Sequence, residues 1–202
     1  MNLRRQTVEE RRVEILEATC DVVIERGFAG TRVADVANKL NVSTGLIHYH
    51  FESKEQLLAE AFAYAARKEM ESLEEDLASV PSVVAKFDRV LQNYIPDHDE
   101  VDWLMWIDSW GEALRNPQMR TISQELDIQS TDLIERVIDE GVAAGEFTCA
   151  DPHGTALCIA GLVDGLSVQL TIHDKVISRE ELLTHARRIA AAELGISPGA
   201  FA

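Results

Sequence analysis

The stretch that most constrains this chain is Thr31 to Phe51, TRVADVANKLNVSTGLIHYHF. Val33, Val36, Ala37 and Leu40 recur at the spacing of one helix face, with Thr31 as the expected N-cap. Asn41 follows, and asparagine ranks next to glycine where a chain must pass through a left-handed conformation, so the first helix stops at Leu40. Val42 then tucks into the angle between two helices. Ser43 caps the second helix and Thr44 to His50 form it. Two short helices about a turn of roughly three residues is helix-turn-helix spacing.

Ile47 and Phe51 lie four apart and face inward together, leaving Thr44, Gly45, His48 and Tyr49 on the outward side. A hydroxyl beside phosphate, a glycine permitting close approach, an imidazole and a phenol suit a DNA groove. Leu46 and His50 complete the expected contact set on this helix. Ser53 and Gln56 form a capping box for the next helix and place Lys54 in its first turn, where an N-terminus favours phosphate. Arg32, Arg4 and Arg5 are the other expected phosphate contacts, the last two from a loose arm, Met1 to Gln6.

Residues Val8 to Ala63 carry the words ILEATCDVVIERGFAGTRVADVANKLNVSTGLIHYHFESKEQLL. This segment resembles the N-terminal domain of the TetR family of transcriptional regulators. The likeness rests on the glycine ending of the first helix, the threonine-to-lysine run and the spacing between them. Two positions depart from the pattern: Asn41 stands for the usual turn glycine and His48 for the usual first aromatic. The segment GEFTCADPHGTALCIAGLVDGLSVQL resembles, more weakly, the C-terminal domain of the branch that includes choline-responsive repressors. The resemblance implies a homodimer that binds a small molecule and is controlled by it.

The net charge of −16 is unusual for a DNA binder, but it is unevenly spread. Residues 1–54 hold eight Lys/Arg and eight Asp/Glu, so all of the excess acidity lies beyond them. An acidic body repels non-specific DNA or simply keeps the protein soluble. Hydrophobic residues make up 46%, enough for a substantial core, and helical periods dominate, so the class is all-α with about nine helices. The expected organisation is a three-helix helix-turn-helix DNA-binding domain at 1–52 and a helical ligand-binding and dimerisation domain at 53–202.

Along the chain, Thr7 and Glu10 open a first helix whose inward stripe is Ile15, Leu16, Thr19, Val22 and Val23, with Gly27 ending it. Phe28 is expected to pack under the reading domain. A long helix from Ser53 to about Ser79 links head to body as a lever. Pro81 is expected as the first residue of a helix to Ile95. Asp97, His98 and Asp99 read as a solvated turn, with no metal expected. Val101 to Arg115 carries Trp103, Trp106 and Trp110 at i, i+3 and i+7. With Asp102, Asp108 and Glu112 this face is either a cation-attracting cage or core packing. Asn116 and Pro117 open a helix to Ala144, closed by Gly145. Asp151 and Pro152 open one from His153 to Ile172, apolar nearly all round and expected to be deeply buried. This helix and the one before it are the expected dimer interface, a four-helix contact through Ala156, Ala160, Gly161, Gly165 and Val168, with burial inside one protomer as the alternative. Asp164, inside the His153 to Ile172 helix, is expected to bind a ligand, pair across the dimer, or hydrogen-bond Ser167 or a neighbouring helix end. His173 and Asp174 close it, and Ser178 and Glu181 cap the last helix.

Cys20 and Cys158 are expected as core thiols and Cys149 as a loop thiol. A signal peptide and a membrane-length apolar run are not expected, so the chain reads as cytoplasmic, without membrane association. It carries none of the HExxH, GxSxG, phosphate-loop or dinucleotide patterns, so neither an enzyme nor a cofactor is expected. The leading expectation is a homodimeric, ligand-responsive regulator, a repressor, on a palindromic operator. The alternative is a helical protein-binding adaptor with a degenerate hairpin.

Overall fold

The computed structural model describes residues 7–97, 102–173 and 175–201. Among them the chain forms nine α-helices and no strand: α1 (Val8–Gly30), α2 (Val33–Leu40), α3 (Thr44–His50), α4 (Lys54–Ala78), α5 (Val83–Tyr94), α6 (Asp102–Ala113), α7 (Pro117–Ala144), α8 (Pro152–Ile172) and α9 (Arg179–Glu193). A 3-10 turn, Pro198–Phe201, follows. Arg4, Arg5, His98, Asp99, Asp174 and the side chain of Asp102 lie outside the described residues.

The helices pack as two units, Met1–Lys68 with Val101–Leu126 and Glu69–Glu100 with Asp127–Ala202. These units group residues by backbone proximity and divide the chain at positions other than the expected domain boundary between residues 52 and 53. By packing, the tryptophan helix α6 belongs with the head.

In the first unit, α1 opens on the expected capping box. Glu10 N–H donates to the Thr7 hydroxyl at 3.1 Å, and Thr7 N–H donates to the Glu10 carboxylate at 2.8 Å. The helix breaks at Gly27, whose φ of +71° is open to glycine and strained for other residues. Thr31 is not the N-cap of α2. It ends α1, with its N–H and hydroxyl both donating to the Gly27 carbonyl (3.1 and 2.8 Å). Arg32 caps α2 instead, its N–H donating to the Asp35 carboxylate at 3.1 Å. Two polar residues stand in succession there, and the buried Thr31 hydroxyl goes to the helix behind it.

Two clusters fill this unit. Ile15, Leu16, Ala18 and Val22 of α1 meet Val36 and Ala37 of α2, Ile47 of α3, Phe51, and Leu57 and Ala61 of α4. The second cluster gathers Val23, Phe28, Leu58 and Phe62 with Met105 and Ala113 of α6 and Met119 and Leu126 of α7. Phe28 therefore packs away from the hairpin, edge-on to Phe62 at 6.1 Å. The Phe28 N–H, freed by the break at Gly27, donates to the Asp108 carboxylate of α6 at 2.6 Å. Asn116 caps α7 as expected, accepting from Gln118 and Met119 N–H at 3.0 and 3.1 Å.

In the second unit Phe87 of α5 is fully buried among α7, α8 and α9, edge-on to Phe147 at 6.0 Å. Arg187 of α9 grips Asp88 of α5 with two hydrogen bonds, 2.6 and 2.7 Å. Pro81 is not the first residue of α5. Ser82 follows it as N-cap, accepting from Ala85 N–H at 3.4 Å, because a hydroxyl satisfies an open donor and a proline ring does not.

Three expectations about α8 are corrected. The helix is not deeply buried: Thr155, Ala156, Ile159, Val163 and Ser167 face the core, while Leu157 (59%) and Ile172 (55%) are exposed. Cys158 is exposed as well, and not a core thiol. At 21 residues α8 is also long and apolar enough, by length and composition alone, to cross a membrane. Composition reports how apolar a face is and says nothing of what covers it.

Candidate nucleic-acid interface

The helix-turn-helix is set by local chemistry. Asn41 adopts φ 55° and ψ 44°, the left-handed turn expected of it, and Val42 N–H donates back to the Ala37 carbonyl at 2.9 Å. Ser43 then caps α3, accepting from Leu46 N–H at 3.3 Å. Ile47 and Phe51 are each 1% exposed and root the helix in the core. Burying these two side chains stabilises the unit by roughly 2–3 kcal/mol each.

Ser43, Thr44, Gly45, His48 and Tyr49 are exposed; Leu46 and His50 are half-buried. Tyr49 is 74% exposed, an aromatic ring turned wholly outward, with His50 edge-on to it at 5.1 Å. Gly45 has no internal reason to be glycine. A Cβ there meets nothing nearer than the Ser43 hydroxyl at 3.7 Å, and its φ is not positive. The absent side chain leaves room outside the protein, not inside it.

The charges sort themselves. Six Lys/Arg lie between residues 7 and 54. Arg11 pairs with Glu14, Arg12 with Glu60, Arg26 with Asp35, and Lys39 with Asp21 and Glu25. Arg32 and Lys54 have no carboxylate partner among the described residues. Each sits at a helix N-terminus, Arg32 at α2 and Lys54 at α4, where the backbone already favours an anion. In sequence, the two unpaired cations thus bracket the hairpin that carries the exposed helix. The Ser53 cap holds as expected, accepting from Gln56 N–H at 3.0 Å. The Gln56 side chain, however, takes the Glu52 N–H (2.7 Å), one residue before the bond a capping box would make.

One residue gave no sign of its role in the sequence. Arg12 donates to the His50 carbonyl at the end of α3 (2.7 Å), pairs with Glu60, and lies 4.4 Å above the Phe51 ring. Its partners are 38 and 48 residues away, beyond the reach of any local pattern.

The expected ligand residues fall in different units. In the first, Trp106 packs edge-on to Phe62 at 4.9 Å as part of the core, while Trp103 and Trp110 pair with each other at 5.7 Å. Asp108 is committed to the Phe28 N–H, so it does not belong to a cation cage. Glu112 is half-buried on the same helix. In the second unit, burial pushes the Asp164 carboxyl up to about 6, with the charge of Asp127 adding to the shift. Burial likewise pushes the Tyr94 phenol up to about 12, and Asp164 contributes to it. Asp164 has no cationic partner among the described residues, and the Ser167 hydroxyl, fully buried, has no hydrogen-bond partner. The expected Asp164–Ser167 hydrogen bond is therefore not made. Of the expected dimer residues, Ala156 is turned into the protomer's own core and cannot form a free face, because the helix rotation that buries Ile159 and Val163 buries it too. Ala160 packs against that core, Val168 is half-buried, and Gly161 and Gly165 are exposed.

A capped, exposed helix rooted by Ile47 and Phe51, preceded by a left-handed turn and bracketed in sequence by unpaired cations, defines a helix-turn-helix DNA-binding regulator. Residues 15–61 match the model of bacterial regulatory proteins of the tetR family, and residues 84–195 match the C-terminal domain of BetI-type transcriptional repressors. The chain belongs to the TetR family. It is 25% identical over 193 residues to the HTH-type transcriptional regulator BetI of Yersinia pestis, covering 92% of this chain and 93% of that one. A transcriptional regulator from Saccharomonospora viridis, solved in complex with choline, superposes with a TM-score of 0.79 at 25% identity, over 89% of this chain and 95% of that one. A TetR-family regulator from a Rhodococcus species superposes at 0.78 with 30% identity, over 94% and 100%. Members of this family are transcriptional regulators and not enzymes.

Proposed function

We propose that the protein is a cytoplasmic homodimeric repressor that binds a palindromic operator through two copies of α3 and is released by a small organic cation. The observation that carries the DNA reading is the sorting of charges. Arg32 and Lys54 alone stand without a carboxylate partner among the six basic side chains, and they bracket Gly45 and Tyr49. Arg32, Ser43, Thr44 and Lys54 are assigned to phosphates; Gly45, Leu46, His48, Tyr49 and His50 are assigned to the groove.

The dimer reading is supported by the outward stripe of α8: Leu157, Cys158, Gly161, Gly165, Val168 and Ile172, apolar or small throughout. A second copy of the same helix, related by a two-fold axis, fits a self-complementary face of this kind. The effector reading is supported by Asp164, a half-buried carboxylate without a cationic partner beside Tyr94 and Asp127, and by the choline held in the Saccharomonospora relative. An organic cation there supplies the missing counter-charge. It lowers operator affinity by the difference in its affinity for the two states of the protein.

The test is selection of genomic fragments by the purified protein, followed by binding of the best fragment with and without choline. A palindrome bound by two protomers and weakened by choline supports all three parts. Failure to enrich any sequence removes the regulator reading. A palindrome indifferent to choline removes only the cation.

A further inference from the structure

The turn between α3 and α4 is closed by side chains that come from elsewhere. The last carbonyl of α3, that of His50, accepts from Arg12 Nη1 at 2.7 Å. Within the turn, the Glu52 N–H donates to Gln56 Oε1 at 2.7 Å. The two are joined: Gln56 Nε2 donates to Glu60 Oε1 at 2.9 Å, and the other Glu60 oxygen accepts from Arg12 Nη2. Between them the Arg12 guanidinium lies 4.4 Å above the ring of Phe51, the buried residue of the same turn. The circuit from His50 to Arg12, Glu60, Gln56 and Glu52 thus ties the C-terminal end of α3 and the middle of the connector, residues 51–53, to α1 and α4.

We infer that Arg12, Glu60 and Gln56 are positioning residues for operator recognition: they fix the angle between the reading helix and the Lys54 end of α4. Tyr49 and Lys54 lie on opposite sides of this connector. One is assigned to the groove and the other to a phosphate, so recognition requires both at a fixed separation. A displacement of about 1 Å at such a pair costs the hydrogen bonds that specify bases, while a phosphate contact made by a long lysine survives it. Losing the circuit therefore lowers specific affinity and spares non-specific affinity. The inference rests on the proposed reading that α3 binds an operator.

Charge gives a test whose sign separates positioning from plain attraction. Glu60→Gln removes a negative charge beside the DNA-reading head, so attraction alone makes every DNA bind more tightly. Positioning predicts that operator affinity falls about tenfold, with non-specific affinity unchanged or raised. Arg12→Gln should fall by a similar factor, and the double variant Arg12→Gln, Glu60→Gln should be no weaker than the worse single one, because one circuit is broken in all three. Arg12→Lys, which keeps the charge but cannot reach both partners and the ring, should lose part of the specificity. Full-length proteins are compared on the selected operator and on a scrambled duplex, below the melting transition of each. Enrichment of a palindrome by the unmodified protein comes first; its absence overturns the operator reading itself. Given that palindrome, Glu60→Gln or Arg12→Lys binding it with an unchanged specific-to-non-specific ratio overturns the positioning role alone. A lower melting temperature with that ratio intact overturns it too, because the circuit then serves only the stability of the fold.

Discussion

Gly45 and Asp164 show how a single position can be shaped by something outside the protomer. The surroundings of Gly45 accept a methyl group, and alanine is the better helix former by about 1 kcal/mol. Gly45→Ala should therefore leave the melting temperature equal or higher while operator affinity falls at least tenfold, measured by fluorescence anisotropy. A variant that binds as well as the parent would remove Gly45 from the groove. Asp164 has the opposite character. Its carboxyl titrates at about 6 in the fold against an ordinary 3.8, so the folded chain holds the proton more tightly than the unfolded one. Stability is then greatest below about pH 4 as far as this group is concerned, falls as pH rises from about 4 to 6, and is level above that. Asp164→Asn should remove this fall, gaining roughly 1–2 kcal/mol at pH 7 after allowance for partial exposure. The urea midpoint of variant minus parent, followed across pH, reads it directly. Binding of the proposed cation should run the other way, strengthening as pH rises through 6 because only the ionised carboxylate attracts it.

At the scale of elements, the hairpin was readable because its determinants are neighbours in sequence. Asn41 sits at φ 55°, so Asn41→Gly should be near neutral, whereas Asn41→Val should destabilise the first unit by roughly 1–2 kcal/mol in chemical denaturation. The turn, the Ser43 cap and the inward pair Ile47 and Phe51 all followed from spacing. The misplaced boundaries, Thr31 and Pro81, are positions where two residues in succession can each end or begin a helix. Which of them caps is decided by a hydrogen bond a few ångströms away, as Ser82 to Ala85 shows. Arg12 was missed, and Asp108 given a different role, for another reason. Their partners are brought to them by the fold, across 38 and 80 residues, and a charge on a helix face gives no hint of such a destination. The burial of α8 was misjudged because an apolar face can meet its own chain or another copy. The period of the pattern is the same in both cases.

For the whole molecule, the question is what the exposed stripe of α8 meets. A Cβ added at Gly161 or Gly165 encounters nothing within 4 Å in the protomer. Gly161→Arg should therefore fold normally and fail to dimerise, giving a protomer-sized species in sedimentation and an operator affinity lower by orders of magnitude. Dimerisation unaffected by that arginine would move the interface elsewhere. The continuous helices α4 and α7 each contribute residues to both packing units.

The internal pairing of Arg11, Arg12, Arg26 and Lys39 has a consequence for the protein's life in a cell. If the proposed dimer meets phosphate through Arg32 and Lys54 alone, about four cations, its salt slope should lie near −4. A chromosome presents about a million or more competing sites to any DNA-binding protein, and a strongly cationic regulator is soaked up by them. On the proposed reading this one should be held only loosely by bulk duplex, because the net acidity of residues 55–202 opposes non-specific contact. Its copy number can therefore be small, since few molecules are lost to the competitor pool. The fraction of time the proposed operator stands occupied should then depend on its sequence and on the proposed effector, and only slightly on the size of the genome.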